Sequence, residues 1–153
     1  MGTYDYTFIP ENDIDFVPTP DELKNLQKFL ETVSPHLDAG VTEERKLFES
    51  GFLSEGITCP FCGAEVDGHW WSQAVTDSET DNQFADLDIV MPCCKKATTL
   101  DRLNYPWPIG FARFSVYIST AQAPDFDDDQ AALLLPKIER RIGRKMKIIV
   151  EKY

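Results

Sequence analysis

The sequence is short of positive charge, of histidine and of long apolar runs, and each shortage excludes something. Lys and Arg number 15 against 26 Asp and Glu, a formal net charge of −11. A field of that sign repels phosphate, so it disfavours nucleic acid and favours basic proteins as partners. No apolar stretch approaches the roughly 20 residues that span a bilayer, and no membrane contact is expected. The opening residues MGTYDYTFIPEND carry neither a basic region nor an apolar core of signal-peptide kind, so the expected location is cytoplasmic. The two histidines are His36 and His69. H-E-x-x-H, G-x-S-x-G, P-loop and G-x-G-x-x-G motifs are all missing, and enzyme activity is not the expected role.

The charge is uneven. Residues 137–153 hold seven Lys and Arg against two Glu, leaving eight basic and 24 acidic residues in 1–136. Acid is dense at Asp77, Glu79, Asp81, Asp86 and Asp88, and again at Asp125, Asp127, Asp128 and Asp129. The alternation Asp77-x-Glu79-x-Asp81 resembles the start of a calcium loop. It lacks the Gly and the terminal Glu that such a loop needs, as Asn82 and Asp88 stand there. Asp125, Asp128 and Asp129 are the candidate contacts for a cationic partner, with Trp70 and Trp71 as candidate aromatic anchors.

With 153 residues the chain is the size of one domain, 1–153, and needs no metal merely to build a core. Residues 3–9 alternate as a half-buried strand ended by Pro10. Thr19, Pro20 and Glu22 form a capping box with proline at the first helical position, and Pro35 ends that helix near Ser34. Residues 42–49 read as a short second helix. Residues 84–91 read as a strand, with Ala85, Leu87, Ile89 and Met91 inward, and 97–103 as a partner strand. Residues 110–120 are the clearest strand, with Phe114, Val116 and Ile118 on one face. Asp127 caps a last helix whose stripe is Ala131, Leu134, Leu135, Ile138 and Ile142, closed by Gly143. Pro136 inside it implies a kink or two pieces. Residues 145–152 form a final strand. The expected class is α+β, an antiparallel sheet with two main helices, and the order is compatible with a ferredoxin-like split β-α-β carrying an insertion at 57–96.

The cysteines fall as CPFCG at Cys59 and Cys62 and as PCC at Cys93 and Cys94. Two thiolates three residues apart on a tight turn converge on one ion, and Gly63 lets the chain turn back after the second. The residues between Cys62 and Cys93 are expected to form two strands that return a second ligand pair. Adjacent cysteines point apart in an extended chain, so Cys93 and Cys94 serve one ion only where the backbone kinks. If one of them does not bind, His69 is the reserve ligand. A reducing compartment opposes disulfides, and a redox C-x-x-C would open a helix, whereas Gly63–Gly68 reads as turn and short strand. The cofactor expected is a structural Zn²⁺.

CPFCG resembles the knuckle of zinc ribbons. Together with PCC and LNYPWPIGFARF it is similar to a family of small uncharacterised bacterial proteins, over roughly residues 59–114; that resemblance implies no activity. The expected function is that of a non-enzymatic, zinc-containing binding protein that recognises a basic partner. A bacterial immunity protein against a cationic toxin is one concrete version. The alternatives are nucleic-acid binding through the basic C-terminal segment, and an enzyme built from scattered carboxylates.

Overall fold

The computed structural model describes residues 2–50 and 55–153. Four strands form the main sheet: β1 (Tyr4–Pro10), β2 (Asp38–Glu49), β5 (Ile109–Ser119) and β6 (Met146–Lys152). Its order is β2-β5-β1-β6 and every neighbouring pair is antiparallel. With α1 (Pro20–Val33) after β1 and α3 (Asp128–Ile142) after β5, this is the ferredoxin-like βαββαβ arrangement. Between β2 and β5 the chain inserts α2 (Gly68–Asn82), the short hairpin β3 (Asp88–Val90) and β4 (Ala97–Thr99), and one 3₁₀ turn, Leu100–Arg102.

One face of the sheet carries Tyr6, Phe8, Phe114, Val116, Ile118 and Met146, packed on Leu26 and Leu30 of α1 and on Ala131, Leu134, Ile138 and Ile142 of α3. The insertion has its own core of Ile57, Cys59, Val66, Trp71, Phe84, Leu87, Met91, Leu100 and Leu103, which joins the sheet through Ile109 and Phe111. Among the described residues, no helix is long and apolar enough to cross a membrane.

The capping box forms as expected. Thr19 Oγ1 accepts from the Glu22 N–H and Glu22 Oε1 accepts from the Thr19 N–H. Replacing Thr19 by Ala should therefore lower stability by about 1 kcal/mol. Urea denaturation reads this as a lower midpoint at unchanged slope, and an unchanged midpoint would mean the cap contributes nothing. Helix α3 runs unbroken through Pro136. That proline lies on the exposed face, so the Ala132 carbonyl it leaves without a donor is open to water.

Two expectations are corrected. Residues 42–49 are not a helix but most of β2. Their Glu, Arg, Lys and Leu suit a helix, but pairing decides otherwise: Leu47 packs on the insertion core and Phe48 on the cluster of Ile9, Ala112 and Ile149. The misfit is absorbed by an irregularity between Val41 and Lys46. From it Arg45 reaches out, donating to both carboxylate oxygens of Asp15 at 2.9 and 2.8 Å and to the carbonyls of Phe84 and Ala85. Arg45 so fixes a tight left-handed turn after α2, where Gln83 and Phe84 have φ of 54° and 65°. Its hydrogen bonds also hold the Asp15 carboxyl below the usual carboxylate range.

The second correction is α2 itself, which occupies the stretch expected to hold two strands. Asp67 caps it by accepting from the His69 N–H. Trp71, Ala74, Val75 and Ser78 then face inward at helical spacing. The strand expected at 84–91 shrinks to Asp88–Val90, though Leu87 and Met91 are buried as anticipated.

Candidate metal centre

The four thiols lie at the meeting point of two turns built to one pattern. In the first, Thr58 bridges to Glu65 and the chain between them loops through Cys59-Pro60-Phe61-Cys62-Gly63-Ala64. The Cys59 N–H donates to the Ala64 carbonyl at 2.9 Å and the Gly63 N–H to the Cys59 carbonyl at 3.0 Å. Gly63 has φ of 74°, and a Cβ there would meet nothing within 4 Å, so glycine is wanted for the backbone alone. In the second, Val90 pairs with Ala97 across the loop Met91-Pro92-Cys93-Cys94-Lys95-Lys96. The Met91 N–H donates to the Lys96 carbonyl at 2.9 Å, the Lys95 N–H donates to the Met91 carbonyl at 2.9 Å, and Lys95 takes the left-handed φ of 64°.

The turns correspond position by position in these hydrogen bonds. Pro92 matches Pro60, Cys94 matches Cys62 and Lys95 matches Gly63. Met91 stands where Cys59 does and is fully buried, while the second sulfur moves to Cys93, opposite Phe61. This answers how adjacent cysteines converge: they sit inside a tight turn, not in an extended strand. The sequence carries the signal as a repeated Pro-x-Cys, but the Met in place of Cys hides it.

The ligand atoms of Cys59, Cys62, Cys93 and Cys94 all lie within 4.8 Å of one another. Cys59 Sγ is 3.8 Å from Cys94 Sγ, and Cys62 Sγ is 3.4 Å from Cys93 Sγ. Cys59 is 1% exposed, Cys94 half-buried, and Cys62 and Cys93 exposed. Burial acts to raise the Cys59 thiol. Hydrogen bonds from the Cys62 and Phe61 N–H groups and from the Cys93 and Cys62 thiols outweigh it and bring it down to about 6. Cys93 is pushed up to about 12, foremost by its hydrogen bond with Cys62 and then by burial. Sulfur-only, four-fold donors of this kind suit a tetrahedral thiophilic ion such as zinc, and four protein ligands close the site to water. Four thiolates around a divalent cation leave two negative charges, and Lys95 and Lys96 stand beside them. Lys96 Nζ lies 5.4 Å from the centre of the Phe61 ring, linking the two turns on the outside.

The other candidates are more scattered. His69 is exposed in the first turn of α2 and is not in the four-cysteine group. Trp71 is 6% exposed and its Nε1–H donates to Tyr105 Oη at 3.0 Å, whose hydroxyl donates in turn to the Leu100 carbonyl. It is a core residue with no surface for a partner, whereas Trp70 is half-buried at a groove. Asp125, Asp128 and Asp129 are exposed, and Asp128 accepts from the Tyr6 hydroxyl at 2.8 Å. That groove, of about 480 Å³, gathers the earlier acidic stretch: Asp77 and Asp81 on α2 face Asp86 and Asp88, with Trp70 in the wall. Comparison with family models, curated proteins and solved structures finds no match for the chain.

Proposed function

We propose that this chain is a non-enzymatic binding protein in which one Zn²⁺, held by Cys59, Cys62, Cys93 and Cys94, sets an acidic groove for a basic protein partner. The observation that carries the reading is how the groove is joined to the cysteines. Its α2 wall follows the first turn within a few residues, and its β3 wall runs straight into the second. An ion gripping both turns therefore fixes the spacing of Asp77 and Asp81 from Asp86 and Asp88. A Lys or Arg side chain entering there meets carboxylates on both sides and the face of Trp70.

The basic C-terminal segment favours nucleic acid less than its charge suggests, because several of its cations are engaged internally. Arg141 lies 3.5 Å from the centre of the Phe29 ring, and Arg144 stacks on Phe16 while pairing with Asp13. Lys147 Nζ donates to the Ile109 carbonyl. Asp125 lies apart from this groove, in a cleft with Val33 and Leu133, and neutralising a basic toxin, as an immunity protein does, is one role that an acidic groove serves.

The test is stopped-flow association with the captured basic partner. Opposite fields should carry the rate above the neutral range of about 10⁵–10⁶ M⁻¹s⁻¹ at low salt. The triple variant Asp77→Asn, Asp81→Asn, Asp88→Asn should slow association about ten-fold at low salt, and that difference should fade at high salt. Asp86 stays intact, because its Oδ1 accepts from the Asp88 N–H. A rate indifferent to both salt and the substitutions would sink the groove as the binding site.

A further inference from the structure

We infer that the cysteine centre is a convertible staple: peroxide oxidation expels the metal and leaves two disulfides, Cys62–Cys93 and Cys59–Cys94, each tying one turn to the other. The inference rests on reading the four cysteines as metal ligands and adds what happens when they are oxidised. Both short sulfur–sulfur separations, 3.4 Å for Cys62 with Cys93 and 3.8 Å for Cys59 with Cys94, cross between the turns. The pairings within a turn are the less favoured ones. A bond between neighbours Cys93 and Cys94 would strain the peptide that joins them. A Cys59–Cys62 bond would leave only those neighbours, Cys93 and Cys94, to form the second one.

Exposure sets the order. Cys62 and Cys93 are open to solvent, while Cys59 is buried. The Cys62 thiolate attacks one oxygen of hydrogen peroxide and becomes a sulfenic acid, and the departing hydroxide takes a proton to leave as water. The Cys93 thiolate displaces the sulfenic hydroxyl, which leaves as a second water with another proton, and the S–S bond forms. Two thiolates have then lost two electrons, and one peroxide has taken up two electrons and two protons. The ion, left with two ligands, departs as Zn²⁺. A second peroxide repeats the balance at Cys59 and Cys94. Because both bonds span the turns, the walls of the acidic groove stay joined without metal. A C-x-x-C disulfide from Cys59 to Cys62 would instead leave the second turn loose.

The experiment uses the full chain, reduced, loaded with zinc and then treated with a small excess of hydrogen peroxide. Zinc release is followed with a chromogenic chelator. Disulfides are mapped by mass spectrometry, with electron-transfer fragmentation separating Cys93 from Cys94. The expected result is one zinc released per chain, with Cys62–Cys93 formed before Cys59–Cys94. In excess EDTA, amide exchange across 57–66 and 88–99 should be at least ten-fold slower in the oxidised protein than in the reduced one. Mapping to Cys59–Cys62 and Cys93–Cys94, to bonds between chains, or to sulfinic acids would overturn the inference, as would oxidised protein whose insertion exchanges freely. If the reduced chain takes up no zinc, the metal reading and the expulsion step fail together. The same mapping still decides whether the thiols pair across the turns.

Discussion

Replacing Cys62 by Ser will unfold the insertion and leave the main sheet standing. Cys62 is exposed, so the change creates no cavity and isolates the loss of a ligand. Structural zinc contributes an apparent 10–16 kcal/mol, roughly, in small metal-dependent domains, because the site does not exist in the unfolded chain. Around the two turns there is little regular structure to replace it, as the paired strands, Asp88–Val90 and Ala97–Thr99, are three residues each. By contrast, the core between sheet and helices, from Tyr6 and Phe8 to Met146, contains no residue of 55–108. Hydrogen exchange should therefore show protection lost across 57–66 and 88–99 and kept in β1, β5 and β6. Zinc removal from the reduced wild type should give the same map. Global loss of protection, or none, would refute this division of the stabilising contacts.

Phe114→Ala will do the opposite and destabilise the whole fold. Phe114 is fully buried at the centre of β5, edge-on to Phe16 with ring centres 5.9 Å apart. Truncating such a residue removes its transfer free energy and leaves a cavity, costing about 3–5 kcal/mol. Against a typical total of roughly 5–15 kcal/mol, that brings the chain near its folding threshold. Urea denaturation of the zinc-loaded protein should show the loss as a lower midpoint. A cost below about 1 kcal/mol would mean that the sheet–helix core is not where this packing places it.

The difference between these two effects follows what was legible in the sequence. Local rules mark the frame. The Thr19 box, the Pro35 stop, the Asp127 cap and Gly143 each satisfy or end a helix through atoms within a few residues, and the alternation at 110–120 reports a strand buried on one face. Long-range partners decide the rest. The segment 42–49 is a strand because β5 is there to pair with it, and nothing in TEERKLFE announces that. Helix α2 escapes notice because its inward stripe mixes Trp71 and Val75 with Ala74 and Ser78, too polar a pattern to stand out. The cysteines were legible as a group of ligands. The turn that brings Cys93 and Cys94 together was not, since its likeness to CPFCG lies in backbone hydrogen bonds and a left-handed Lys95, with Met91 in place of the first Cys. The acidic stretch at 77–88 was legible as charge. That it lines two walls of one groove follows only from the fold.

The most direct test of the account is the metal content of the chain itself, purified under reducing conditions without chelator and weighed intact by native mass spectrometry. The account predicts one zinc per chain, lost together with four protons' worth of thiolate charge on acidification and missing from the Cys62→Ser variant. A wild-type chain that carries no metal and binds none when zinc is supplied would contradict it.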